Sequence, residues 1–225
     1  MREIVLDTET TGLSHVEGDR IVEIGAVELH NHVATGKTYH IYINPEREMP
    51  EEATRVHGLT NEFLADKPLF SQVVDEFLEF IADSPLIIHN ASFDVGFLNA
   101  ELKHIGFSKL KNEIIDTLLI ARKKFQGAPA SLDALCKRFE IDSSRRQLHG
   151  ALLDSELLAE VYLELCGGRQ QNLMIEVLDG ENSAEAIAIK NRKFLEPRPH
   201  KATAAELSAH EEFLTQLKSP MWKQP

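Results

Sequence analysis

Three β-rich runs crowd the first 44 residues, and everything after them alternates helix with short strand. "EIVL", "RIVEIGAVEL" and "KTYHIYIN" are joined by short turns containing Gly or Asn, the pattern of an antiparallel meander. "LFSQVVDEFLEFIA" then carries Val73, Val74, Phe77, Leu78 and Ile81 at helical spacing, and Pro85 separates it from the short strand "LIIH". "FDVGFLNAELKHIG" predicts a second amphipathic helix stopped by Gly106, and "EIIDT" another short strand. "SLDALCKRFEI" predicts a helix capped by Ser131, and "ALLDSELLAEVYLELC" a longer one ended by Gly167-Gly168. A meander followed by alternating strands and helices can close only as an α/β fold, a mixed sheet with helices on its faces.

The first strand ends in "DTETTG". Strand side chains alternate with a period of two, so Asp7 and Glu9 point the same way, and like charges that close raise each other's pKa. Alone, the pair is a polar strand end. "IIHNASFD" adds Asp94, in the first turn of a helix that follows an apolar strand, where an acid by itself only complements the helix dipole. "LHGALLD" adds His149 and Asp154. Five residues turn an ideal helix by about 500°, so these two cannot share a face. Asp154 is therefore expected on the helix and His149 in its less regular entrance, one a fixed ligand and the other a mobile base.

Four carboxylates and one histidine in that order need compensation, and two divalent cations balance four negative charges. Oxygen donors select hard ions, Mg²⁺ or Mn²⁺. Two such ions about 3.5–4 Å apart stabilise both the attacking and the leaving oxygen of a phosphodiester displacement, and a histidine can take the proton of the attacking water. Composition is compatible with this chemistry. The formal net charge of −12 argues against grip by phosphate neutralisation but not against grip through bound metal. No apolar run approaches the ~18–20 residues of a membrane span, no signal peptide is visible, and two distant cysteines, both expected in the core, suit a reduced cytoplasmic protein.

In the order "DTETTG", "HNASFD", "LHGALLD", the chain resembles the DEDDh family of 3′→5′ exonucleases across residues 1 to about 166, most closely its proofreading branch, the subunits attached to bacterial replicative DNA polymerases. The resemblance implies a ribonuclease H-like, five-stranded mixed sheet flanked by helices. It implies that Asp7, Glu9, Asp94 and Asp154 hold two metal ions and that His149 is the general base. Asp7, Glu9 and Asp154 would also meet the substrate, a DNA 3′ end, single-stranded or mismatched. In "PEEATRVHGLT", Glu52 and His57 match positions that meet the terminal nucleotide, and Leu13, Asn90 and Phe93 wall the same pocket. His57-Gly58 also reads as a helix C-cap.

The tail divides further. Residues 1–168 form the expected exonuclease domain, 169–200 a linker, and 201–225 a polymerase-binding tail. "RQQNLM" with Ile175 is similar to the sliding-clamp motif of these subunits, through Gln170, Leu173 and Ile175, although the pattern often ends in an aromatic. Thr203 and Glu206 form a capping box, and Leu207, His210, Leu214 and Leu217 follow at helical spacing, with Trp222 just beyond. By resemblance this short helix, with Leu207, Leu214, Leu217 and Trp222, docks on the catalytic alpha subunit of the polymerase. Tethering would relieve an acidic nuclease of the need for strong DNA affinity of its own. The cations of "ARKKF" and "KRF", with Arg145 and Arg146, either line a strand path or are solvated, the second being favoured. The alternatives are an RNA-trimming exonuclease of the ribonuclease T or oligoribonuclease type, which needs no tether, and a non-catalytic adaptor, which needs no intact acids.

Overall fold

The computed structural model describes residues 1–144, 146, 148–168 and 201–216. The chain divides into two compact units, Met1–Leu173 and Met174–Pro225. In the first, β1 (Arg2–Thr10), β2 (Ile21–His30) and β3 (Val33–Tyr42) form the antiparallel meander, and β4 (Leu86–Ile88) and β5 (Ile114–Asp116) continue the sheet in parallel with β1. The order is β3-β2-β1-β4-β5, the mixed five-stranded sheet expected. α1 (Glu51–His57), α2 (Asn61–Leu64) and α3 (Phe70–Ile81) follow the meander. α4 (Ser92–His104) follows β4, and α5 (Thr117–Lys124), α6 (Leu132–Arg138) and α7 (Ala151–Leu165) follow β5.

Alternation along β1 distributes the core. Ile4 and Leu6 face α3 and α4, packing on Phe70, Val74, Phe77, Phe97 and Leu98. Val5 faces the other way, onto Leu135, Leu157, Leu158 and Val161 of α6 and α7. Burying each such aliphatic or aromatic side chain contributes about 1.5–3 kcal/mol. The same parity fixes what happens at the strand's end. Asp7 and Glu9 fall on the side of Val5, toward α7, and Thr8 on the side of Leu6, toward α4.

Several helix ends match their sequence signals. Ser131 accepts the Ala134 N–H at the start of α6, Gly58 ends α1 with φ +76°, and Gly167 and Gly168, at φ +116° and +75°, end α7. Two differences have simple causes. β3 begins at Val33 rather than Lys37, because its first residues pair with β2 as an exposed outer strand and carry no apolar alternation. Cys136 is buried as expected, but Cys166 is exposed, because it lies past the end of α7.

In the second unit, α8 (Ala204–Gln216) forms with the expected capping box, Thr203 and Glu206 bonding reciprocally. Leu214 is buried and Leu207 exposed. Gln170, Leu173, Ile175, Leu217 and Trp222 lie outside the described residues.

Candidate active site

α7 meets the sheet where β2 has no side chain. Gly25 is the register partner of Asp7, and a Cβ there would lie 2.2 Å from the Ala151 carbonyl carbon and the Leu152 nitrogen. The Ser155 hydroxyl donates to the Gly25 carbonyl at 2.9 Å. This close approach brings Asp154, in the first turn of α7, to the face that carries Asp7 and Glu9. On the opposite side, Thr8 holds Asp94 by two bonds to one carboxylate oxygen, its N–H at 3.0 Å and its hydroxyl at 2.7 Å. Both bonds fall on Oδ1, so Oδ2 stays available to a ligand.

His149 precedes the α7 N-cap, in the irregular entrance expected for it, and is half exposed. Its backbone N–H donates to the Val56 carbonyl of α1 at 3.1 Å, and its Nδ1 lies 3.2 Å from Asp154 Oδ2. Oxygen or nitrogen atoms of Glu9, His149 and Asp154 lie within 4.8 Å of one another. All five residues, Asp7, Glu9, Asp94, His149 and Asp154, line one cavity of about 730 Å³, and Asn90 and Phe93 share its wall.

The electrostatics are those of acids short of positive charge. Burial, then Asp94, Glu9 and Asp154, push Asp7 well above the usual carboxylate range. Burial, then Asp154 and Glu23, push Glu9 up to about 8. Burial raises Asp94 to about 7 against the opposing pull of its Thr8 bonds. Among the described residues, one cation reaches the group. The Arg146 guanidinium forks onto Asp154 at 2.5 and 2.7 Å, approaches His149 Nδ1 at 2.7 Å and also bonds Asp133. The solvated reading of the basic residues therefore fails for Arg146, whose side chain is only 9% exposed, while Arg145 lies outside the described residues.

Of the remaining predicted residues, Asn90 and Phe93 line the cavity and His57, Glu52 and Leu13 do not. His57 is buried at the end of α1, where its Nδ1 accepts the Leu59 N–H at 3.1 Å and its Nε2 has no hydrogen-bond partner among the described residues. Burial lowers its pKa. Glu52 and Leu13 are exposed and do not line the cavity. Asn90 sits at φ +64°, its turn pinned by Asp116, which accepts the N–H groups of Asn90 and Ala91 at 3.2 Å each. Phe93 packs on Phe97 at a centroid distance of 4.8 Å.

Sequence reasoning missed four participants. Arg146 was hidden in a basic pair, and Thr8 between two more conspicuous acids. Asp116 had one signal, an acid directly ending a strand. Glu23 lies opposite Glu9 in the β1–β2 register and is held by His40 at 2.7 Å, so only the pairing reveals it.

A mixed five-stranded sheet that gathers acids from β1, α4 and α7 around one cavity defines a ribonuclease H-like nuclease. A family model described as Exonuclease matches residues 4–162. The DNA polymerase III subunit epsilon of Rickettsia felis is 52% identical over 222 residues, covering 96% of this chain and 97% of the relative. That of Escherichia coli K12 is 47% identical over 227 residues, covering 93% and 90%. Among solved structures, the nuclease domain of 3′hExo, a DEDDh family member bound to rAMP, superposes with a TM-score of 0.63 at 17% identity, over 76% of this chain and 94% of that one. The chain belongs to the exonuclease family and, within it, to the DNA polymerase III epsilon subunits, 3′→5′ exonucleases.

Proposed function

We propose that the chain hydrolyses phosphodiester bonds at single-stranded or mismatched DNA 3′ ends as the proofreading subunit of a replicative polymerase. The observation that carries this reading is the convergence of Asp7, Glu9, Asp94, Asp154 and His149 on one cavity. Their donors suit hard divalent cations. All four acids offer oxygen, both Thr8 bonds to Asp94 fall on one of its oxygens, and three of the acids are held above their ordinary pKa, first by burial and then by one another's charge. Asp7, Glu9, Asp94 and Asp154 would hold two ions, Mg²⁺ or Mn²⁺, which when bound neutralise the site and stabilise charge on the transferring phosphoryl group.

The chain's own residues do the rest. Once a bound cation displaces Arg146 from Asp154 and from His149 Nδ1, Nδ1–H would donate to Asp154, and Nε2 would face the attacking water and take its proton. The water oxygen bonds phosphorus, the bond to the 3′ oxygen of the preceding nucleotide breaks, and a nucleoside monophosphate leaves. His57, with an unpartnered buried nitrogen, and exposed Glu52 would contact the terminal nucleotide. Leu13, Asn90 and Phe93 would pack against its base and sugar.

Residues 1–168 would be the catalytic unit, 169–200 the linker with a clamp-binding segment at Gln170, Leu173 and Ile175, and 201–225 the tail that docks on the polymerase alpha subunit. The setting would be the cytoplasm, at the replication fork. The test is cleavage of a 3′-mismatched DNA primer and of a matched RNA strand by wild type and Asp154→Asn. The expected result is preference for DNA and a loss of at least about 100-fold in the variant, since each 1.36 kcal/mol of barrier is tenfold in rate. Near wild-type cleavage by Asp154→Asn at saturating Mg²⁺ would refute the site, and preference for RNA would refute the substrate.

A further inference from the structure

The cavity is walled beyond the acids and beyond Asn90 and Phe93, the wall residues read above as meeting the terminal nucleotide. Its volume of about 730 Å³ falls in the range that encloses a drug-sized ligand. The walls run on past the acids along the end of β4, α5 and residues 128–132, where they are formed by His89, Leu118, Arg122, Pro129, Ala130 and Leu132. This extension differs in character from the acid end. It offers apolar surface, a ring and the Arg122 guanidinium, with the carboxylate of Asp133 bonded to Arg146.

The ring is fixed and uncharged. His89 Nδ1 pairs with the Thr117 hydroxyl at 2.9 Å, and burial lowers the pKa of His89 so that it is neutral at pH 7. Such a ring presents a flat face on which a base can stack, a contact that tolerates any sequence because every base has one.

Arg122 differs from the cations around it: Lys123 does not line the cavity, and three others have partners. Lys124 gives its Nζ to the Leu165 carbonyl at 2.9 Å and to that of Glu164 at 3.4 Å. Arg138 lies 4.4 Å over the Phe125 ring. Arg146, the other guanidinium in the cavity wall, is bound to Asp154 and Asp133. Arg122 is exposed, lines the cavity and has no ion pair among the described residues. In a chain of net charge −12, an uncommitted guanidinium in the wall of the cavity that handles phosphodiesters is placed to take phosphate.

We propose that this extension seats the nucleotide on the 5′ side of the scissile bond, with its base against His89, Leu118 and Pro129 and the next phosphate of the strand on Arg122. The proposal rests on the reading of the acid end given above and extends it from one nucleotide to two. It also accounts for how an acidic protein guides a strand: one counter-charge stands at the second phosphate rather than a basic surface along the whole path.

The test uses the full chain and oligothymidylates whose linkage one step 5′ of the scissile phosphate is either native or an uncharged methylphosphonate. Wild type, Arg122→Gln and Arg122→Lys are compared for KM and kcat over a range of salt. A charge-assisted contact of this kind predicts that the methylphosphonate raises the wild-type KM about tenfold, adds nothing further in Arg122→Gln, and keeps its effect in Arg122→Lys. The slope of log KM on log salt should fall by about 0.7 in Arg122→Gln, the share of a single phosphate contact on a single strand. A methylphosphonate penalty equal in wild type and Arg122→Gln overturns the proposal, as does an unchanged salt slope. The p-nitrophenyl ester of thymidine 5′-phosphate, which has no nucleotide for the extension, reports on the acid end separately. If wild type cleaves neither this ester nor the oligomer, the fault lies with the acid site, and the proposal falls with it. Cleavage of the ester together with an equal penalty in both proteins condemns the extension alone.

Discussion

Gly25→Ala tests whether backbone contact, rather than any side chain, sets the position of Asp154. The added methyl would sit 2.2 Å from the Ala151 carbonyl carbon and the Leu152 nitrogen and 2.4 Å from the Ala151 oxygen, whereas ordinary contact begins at 3.4 Å. All three are backbone atoms, so no rotamer change relieves the clash. The N-terminal turn of α7 must move outward by about 1 Å, and Asp154 rides on that turn. Overpacking of this kind costs about 1–3 kcal/mol. At about 2–4 °C per kcal/mol for a chain this size, the melting temperature should drop by about 2–12 °C. A displacement of about 1 Å at a reacting centre can cost roughly 100-fold in rate. The assay is single-turnover cleavage of a DNA 3′ end at saturating Mn²⁺, beside a thermal melt. Folded protein at the assay temperature with cleavage down by about two orders of magnitude is the expected outcome. A variant that melts and cleaves like wild type would show that α7 does not depend on the bare backbone at Gly25, and the account of how Asp154 reaches the strand would be wrong.

Two further outcomes follow from the crowded acids. Glu9 and Asp94 titrate at about 8 and about 7 in the fold, against about 4 in an unfolded chain, so the folded protein keeps protons that the unfolded chain has released. In chelator, stability should therefore fall as pH rises from about 4 to about 8, and saturating Mg²⁺ or Mn²⁺ should flatten or reverse the trend; melts in EDTA that are level or rise with pH would contradict it. Removing the guanidinium from Asp154 with Arg146→Gln should tighten Mn²⁺ binding several-fold, read by electron paramagnetic resonance, because cation and arginine compete for one carboxylate. The same change should destabilise the metal-free protein by about 3 kcal/mol, because it leaves a buried charge uncompensated. Weaker Mn²⁺ binding would count against competition.

What was legible in the sequence is what local pattern encodes. Period-two alternation placed Asp7 and Glu9 on one face, and the five-residue spacing put His149 in the entrance and Asp154 on the helix, as the structure has them. The α3 stripe from Phe70 to Ile81 was plain because its buried positions repeat at helical spacing. Non-local features left no trace. Glu23 acquires meaning only from its register opposite Glu9, and Gly25 only from the helix that lands on it. α2 and α5, of 4 and 8 residues, were missed because they are too short to establish a period, and only the Gly58 cap of α1 was read, whereas α6, of 7 residues, was marked by its Ser131 cap. Arg146 looked like one of several surface cations, and only the folded loop brings it back onto Asp154.

The bond from the His149 nitrogen to the Val56 carbonyl ties the entrance of α7 to the last turn of α1. Val56 adjoins His57, and one residue further on, the space above Gly58 is filled by Leu148, which a methyl there would meet at 2.8 Å. The residue proposed above as the proton acceptor is thus stitched to the same short turn that carries His57. On that proposal, any shift of α1 would be handed through this bond to His149, so the two histidines would move as one.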